Sequence, residues 1–312
     1  MTDFLQTTES VITIAAVYLL VGLGWNLVYN ASGYLNLAIG GFYILGAIFS
    51  YKIQTRLGIH EPILVGVLTV GAVGVLGYVS ERLLLRPLKQ MGLPPLIVTI
   101  GLSLILLQLA FELSPSLVIR PEEAIGGEVT PFGVHIPAQA LLVWATAAIA
   151  TAAVFLFFRR TDTGRAMRAG ADNRTAAQTL GLRVASFGTI AFTASAMLAA
   201  IAGFVIAPTQ GSAYNSGDLI AIKAFMAVSI VGLGRNGGAV FGALLVAGVQ
   251  VYVARYVSQD LSDVIVLVAF VGVLYVYAAR QDGGILPARW RLRRRGPRPV
   301  RAAGAGAVAE QT

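Results

Sequence analysis

The chain has no cysteine, two histidines, and only 12% charged residues among 312. Without cysteine there are no disulfides and no thiolate chemistry. His60 and His135 fall in different predicted loops, and neither belongs to an HExxH-type pair, so a zinc hydrolase has no ligand set. No acidic pair suits a metal–diphosphate enzyme, and no glycine-rich loop ends in Lys-Ser or Lys-Thr as nucleotide hydrolysis requires. An enzyme is therefore not expected, and neither is a cofactor or a metal. The first ten residues, MTDFLQTTES, lack a positive stretch, so no signal peptide is expected. No long polar segment is available to fold as a separate soluble domain.

What the chain has is apolar length. Hydrophobic residues make up 56% of it, and several runs reach the ~20 residues needed to cross a bilayer as a helix. The apolar spans read as 11–29, 34–51, 62–80, 93–113, 138–158, 186–206, 220–234, 238–256 and 262–279. This predicts an all-α polytopic membrane protein with about 8–10 transmembrane helices. The short span at 220–234 suggests a tilted, broken or re-entrant helix. Glycine, at 35 residues, exceeds the usual ~7%. It suits close helix packing and local unwinding around a cavity.

Lysine and arginine set the expected orientation. The 81–92 loop carries Arg82, Arg86 and Lys89, and the 159–185 loop carries six arginines. Eight more follow residue 279. Nine crossings with the N-terminus outside and the C-terminus in the cytoplasm put 18 of the 23 basic residues inside. Residues 1–280 are read as one membrane domain. Residues 281–312 are read as a basic, disordered tail whose arginines meet anionic lipid headgroups rather than nucleic acid.

Polar residues inside apolar spans mark candidate sites. In GWNLVYNASGYLNLAIGGFYILGA (24–47), Asn26 and Asn30 are four apart and share a helix face. Ser32 and Gly33 supply a break, and Asn36 follows before the next helix. Two readings stand side by side: amides lining a polar path, and amides bonding between helices. In the 159–188 loop, Thr161, Asp162 or Thr163 can cap a helix that Gly170 interrupts. Asp172 can cap a second helix, and Gly181 suits its end. Ala176, Ala177 and Leu180 form an apolar stripe suited to docking in a partner's groove. Lys223 is placed near the outer end of its span, snorkelling to headgroups. A weak internal echo pairs residues 32–48 with 232–248, as in transporters built from repeats.

Three blocks, YLNLAIGGFYILGAI (34–48), PPLIVTIGLSLILLQ (94–108) and GRAMRAGADNRTAAQTLGLRVASFGTIAFTASAMLAAIAGF (164–204), are followed by KAFMAVSIVGLGRNGGAVFGALL (223–245). Together they resemble the smaller permease class of branched-chain amino acid type ABC importers. The resemblance implies a hetero- or homodimeric permease core, two ABC ATPase subunits and an extracytoplasmic solute-binding protein, in a bacterial plasma membrane. It identifies residues 164–181 as the ATPase-coupling element, which adds Gly164, Arg165 and Arg168 to Asp172, Ala176, Ala177, Leu180 and Gly181. It makes the first block, Gly40 included, part of a translocation path near the dimer axis. Where the family commonly carries His-Gly-Glu, this chain has Ile39, Gly40 and Gly41. Where it carries Pro-Gly, this chain has Gly237 and Gly238. The solute expected is small and polar or zwitterionic: a branched-chain amino acid, an amide, urea or a related compound. The rival is a stand-alone secondary transporter, which needs ionisable residues at mid-membrane depth.

Overall fold

Inside a bilayer every backbone N–H and C=O must find a partner within the protein, which leaves helices as the economical way to cross. The computed structural model describes residues 2–88, 93–114, 118–130, 135–172, 177, 179–180 and 184–281. Helices dominate it: α1 (Thr2–Ser32), α2 (Ile39–Leu57), α3 (Pro62–Ser80), α4 (Leu93–Leu113), α5 (Ala138–Arg160), α6 (Asp162–Asp172), α7 (Val184–Gln210), α8 (Ser216–Val231), α9 (Asn236–Tyr256) and α10 (Gln259–Gln281). The end of α3 widens into a π-helical turn, Glu81–Leu85. A two-residue antiparallel ribbon, β1 (Glu128–Val129) with β2 (Ile136–Pro137), decorates the loop before α5.

Every span read from the sequence carries a helix. Six segments among the described residues are long and apolar enough to cross a membrane: Asp3–Ser32, Pro62–Leu85, Leu93–Leu113, Ala138–Arg160, Ser186–Gln210 and Asn236–Tyr256. Of the other three, α2 carries Lys52 and Arg56, α8 has 16 residues, and α10 holds the shorter apolar stretch Leu261–Val273. The chain is an all-α, multi-pass membrane protein. It divides into two compact units, Met1–Val268 and Ala269–Thr312. In the second, the described residues continue as helix to Gln281. The basic tail read from residue 282 onward lies outside the described residues.

Within the first unit, α1 and α7 are the central pair. Their apolar windows are 89% and 67% buried, against at most 33% for the other four spans. Helix α1 packs on α5, α7, α8 and α9, while α7 packs on α2, α3 and α5. The outer helices keep apolar side chains such as Ile63, Leu104 and Ile149 on their exposed faces, as lipid contact requires.

The two central helices end alike. Gly33 and Gly211 take left-handed φ values of 73° and 70°. Their N–H groups return to Tyr29 O and Ala207 O, each at 2.9 Å. That left-handed cap is one L side chains resist and glycine accepts. A short link then leads into α2 or α8, and the second residue of each is glycine, Gly40 or Gly217. These two glycines meet. A Cβ on Gly40 would stand 2.7 Å from Gly217 O, and one on Gly217 would overlap Gly40 O in return. The pattern continues outward. Helix α9 runs antiparallel along α1, with Gln250 beside Tyr18 and Gly234 beside Asn30. Helix α3 runs antiparallel along α7, with Gly66 facing Phe204 and Gly77 facing Ala196.

The structure thus contains an internal repeat, but in a different register from the sequence echo. Residues 32–48 correspond to roughly 210–226, not to 232–248. The echo matched glycine composition. The fold matches the left-handed cap and the glycine that follows it.

The Gly40–Gly217 crossing lies deep. Fourteen residues along α2, about 21 Å at 1.5 Å per residue, Gln54 exchanges hydrogen bonds with the backbone of Glu122 in the 114–137 loop, at 2.8 and 3.3 Å. The same rise along α8, again about 21 Å, reaches Val231 and the opposite face. The N-termini of α2 and α8 therefore meet about midway through the protein.

A Gly217→Val substitution should lower the thermal midpoint of the detergent-solubilised protein, with a loss of about 1–3 kcal/mol from overpacking. Gly71→Ala, where no atom stands within 4 Å of the added Cβ, should leave the midpoint unchanged or raised.

Candidate functional site

The shared face of Asn26 and Asn30 has a defined use. Both amides hold one residue, Gly234, in the turn between α8 and α9. Asn26 Oδ1 accepts from Gly234 N–H at 2.9 Å, and Asn30 Nδ2 donates to Gly234 C=O at 3.1 Å. Gly234 has φ 85°, and a Cβ there would lie 2.6 Å from Asn30 Oδ1, so glycine is required twice over. The turn GLGRNGG is a clasped helix connection. Of the two sequence readings, interhelical bonding is met at Asn26 and Asn30. The amide nitrogen of Asn26, fully buried, still has no partner among the described residues.

Ser32 Oγ donates to Val28 O at 2.8 Å within α1, and Gly33 makes the break. Asn36 is fully buried. Its Oδ1 accepts from Ala38 N–H at 3.1 Å at the entry to α2, and its Nδ2 is also without a partner among the described residues. Gly40 follows at the helix crossing. Asp218, in the first turn of α8, has its Oδ1 3.0 Å from where a Gly40 Cβ would sit, and it accepts from Ser103 Oγ at 3.4 Å. Two helix N-termini, each carrying partial positive charge, thus converge on one carboxylate and one free amide. Position 41 has no room for a side chain, since a Cβ on Gly41 would lie 2.6 Å from Leu106 Cβ.

Lys223 corrects the sequence reading. It does not snorkel. Helix α8 packs on α1, α2 and α9, and the Lys223 side chain is 10% exposed. Its Nζ donates to Asp263 Oδ1 at 2.7 Å. Nearby, Tyr18 hydroxyl donates to Gln250 Oε1. Glu81, 4% exposed on the π-turn of α3, is a further buried ionisable group. Lys223 and Glu81, both buried, and the partly exposed Asp218 and Asp263 were all missed. The available signal was a carboxylate two residues into an apolar helix and a lysine at the centre of one.

On the face bearing the arginine-rich loop, Thr161 caps α6 by accepting Gly164 N–H at 3.0 Å, the reach expected of an N-cap oxygen. Gly164 seats α6 against α5, and a Cβ there would lie 2.8 Å from Phe158 Cα. Arg165 pairs with Asp162 at 2.7 Å at the surface. Arg168 lies over the Phe158 ring at 5.2 Å. Met167 is fully buried, so α6 is anchored to α1, α5 and α7. Gly170 does not interrupt it; the helix continues to Asp172. Ala176 and Gly181 lie outside the described residues. Ala177 is buried at 3% exposure while Leu180 is 80% exposed. Ala177 therefore faces the protein, and the apolar group offered outward is Leu180.

Residues 7–274 match the family model for the branched-chain amino acid transport system permease component. The chain is 30% identical over 300 residues to the high-affinity branched-chain amino acid transport system permease protein BraD of Pseudomonas aeruginosa, covering 91% of this chain and 95% of that one. It is also 30% identical over 291 residues to LivH of Salmonella typhimurium, covering 88% and 93%. The fructose import permease FrcC of Rhizobium meliloti is 27% identical over 262 residues, covering 77% and 68%. Among solved structures, PsaBC from Streptococcus pneumoniae shares the fold with a TM-score of 0.51 at 12% identity, covering 91% and 93% of the two chains. The chain belongs to the branched-chain amino acid transport system permease family. It is a permease subunit of an ABC importer, a class that works with ATPase and further permease subunits.

Removing the Asn26–Asn30 clasp leaves Gly234 N–H and C=O unpaired. Asn26→Ala and Asn30→Ala should each cost about 1–3 kcal/mol, read as a lower thermal midpoint. The double variant should cost less than the sum of the two, because both act on one residue.

Proposed function

We propose that this permease carries a small polar or zwitterionic solute inward, of the branched-chain amino acid, amide or urea class. ATP is hydrolysed on partner ABC subunits, and a second permease subunit completes the core. An extracytoplasmic binding protein delivers the solute. The N-terminus lies outside and the C-terminus in the cytoplasm, as the arginine asymmetry favours. The path runs past Asn26, Asn30, Ser32, Gly33, Asn36 and Gly40. The observation that carries this reading is the central meeting of the α2 and α8 N-termini, with the Asn36 amide left unpartnered. Such ends face anionic solute groups in transporters built from repeats.

Cysteines placed singly at 26, 30 and 36 in this cysteine-free chain test the path. At least one should react with a small, membrane-impermeant thiol reagent, at a rate that changes when nucleotide is trapped on the ATPases. Complete inertness in every state, with transport intact, removes these residues from the path. Uptake into vesicles that persists without ATP and follows an ion gradient favours the stand-alone transporter instead.

Residues 164–181 transmit the ATPase motion in this reading. The seated α6 and outward Leu180 support it, with Gly164, Arg165, Arg168, Asp172, Ala176, Ala177 and Gly181 as the rest of the element. Leu180→Glu should cut solute-stimulated ATP hydrolysis at least fivefold while membrane insertion is unchanged. Unchanged stimulation together with unchanged co-purification of the ATPases rules Leu180 out as a docking residue.

A further inference from the structure

Three grooves of about 490, 610 and 810 Å³ in the first unit are walled mostly by apolar side chains. The smallest has one polar lining residue, Thr146, whose hydroxyl donates to Leu142 O at 2.6 Å. The largest carries an exposed acidic residue, Glu61. The 610 Å³ groove is different in kind. Helices α5 and α9 both pack on α1 and meet each other only sparsely, so a trough is left between them. Ala15 and Leu19 of α1 form its floor, Ala148 and Phe155 of α5 one wall, and Val240 and Leu244 of α9 the other. Phe155, Val240 and Leu244 are exposed, so the trough opens sideways to the bilayer.

Asn236 lines the trough at the end next to the α8–α9 turn. It is 6% exposed, and neither its Oδ1 nor its Nδ2 has a partner among the described residues. An amide buried without partners is costly, so this point calls for a ligand with both an acceptor and a donor. Arg235 precedes it in the chain. Arg159 ends the opposite wall, its guanidinium 5.7 Å from the ring centre of the lining Phe155. Both arginines are exposed, and neither pairs with a carboxylate among the described residues. Helix α9 begins here with no side-chain cap, which adds its partial positive charge to theirs. From Leu156 at this end to Trp144 at the other, twelve residues of α5 rise about 18 Å. One leaflet of a ~30 Å hydrocarbon core is about 15 Å deep. The trough is therefore as long as one leaflet is deep, with positive charge and a free amide at its headgroup end.

We propose that this groove holds an anionic phospholipid of the leaflet that meets the arginine-rich face. One acyl chain lies in the trough. Asn236 Nδ2 donates to an ester carbonyl, and Oδ1 accepts from a headgroup hydroxyl. Arg159 and Arg235 take the phosphate. Basic pockets between transmembrane helices bind lipid headgroups by the same chemistry. The inference goes beyond movement of a solute. It places a bound lipid between α5, which leads into α6, and α9, which follows the clasped turn at Gly234.

The test uses the full-length permease in phosphatidylcholine vesicles, alone and in complex with its partner subunits. Phosphatidylglycerol or phosphatidylcholine, brominated near the methyl end of one chain, is titrated in. Quenching is read on the tryptophan emission that Trp144→Phe removes. Half-quenching should be reached at a mole fraction at least fivefold lower for the brominated phosphatidylglycerol. Arg159→Gln/Arg235→Gln changes only exposed side chains and should bring the two lipids within twofold of each other. Asn236→Leu should keep its thermal midpoint and weaken quenching by phosphatidylglycerol at least threefold. If that variant fails to fold, the arginine pair decides. Equal quenching by the two lipids in wild type overturns the site, as does a fivefold preference retained in the folded arginine variant. Quenching present in the permease alone and lost in the complex gives the groove to a partner subunit and also overturns it.

Discussion

The reciprocal contact between Gly40 and Gly217 is the constraint on which the rest of the fold turns. Two helices can begin in the middle of an apolar body only if their first turns approach backbone to backbone and their entry links are satisfied. At this crossing a single methyl group would strike a carbonyl oxygen from either side. Glycine there admits close packing of the kind that drives helix association in lipid. The position of the crossing then determines where α2 and α8 lead. Helix α2 reaches the loop around Glu122, and α8 reaches the turn held by Asn26 and Asn30.

Those links bring polar chemistry inward. A helix that starts within the protein exposes unpaired N–H groups. Asn36 satisfies one of them at α2, and Asp218 stands beside the same turn from α8. The clasp of Asn26 and Asn30 on Gly234 works on the same principle at the other end of α8. A peptide group in a left-handed turn is given an amide for each of its two polar atoms. The polar residues in these apolar spans are therefore first a consequence of breaking helices. Their unfilled groups are what remains available to water or solute.

Helix α6 and the interior are packed continuously. Helix α6 is capped by Thr161 and seated by Gly164 on α5, with Met167 buried beneath it. It touches α1 and α7, the same two helices that carry the glycine-capped breaks. Displacement of α6 would be felt at α5 and at the central pair alike.

Much of this was legible in the amino-acid sequence because it depends on composition and local chemistry. Apolar run length determined the helices and their number, since lipid admits few alternatives. The Ser32–Gly33 break and the Thr161 cap could be read because capping is local to a few residues. The pairing of Asn26 with Asn30 on one face followed from the 3.6-residue period. What they hold did not, because Gly234 lies two hundred residues away. The Lys223–Asp263 pair was hidden likewise, its two members lying 40 residues apart on different helices. A lone lysine in an apolar span looks like a snorkelling one until a carboxylate from another helix is packed against it. The repeat was sensed but misregistered, since glycine content is shared by any tight helix, while the equivalence of Gly33 with Gly211 and Gly40 with Gly217 lies in backbone dihedrals and mutual contact. Ala177 and Leu180 share an apolar face on paper, and only packing decided that one is covered and the other open. Sequence alone determined which segments are helices and the break at Ser32–Gly33, though not the continuation of α6 through Gly170. Tertiary structure decided which polar groups meet, because the partner of a buried charge or amide is brought from elsewhere in the chain.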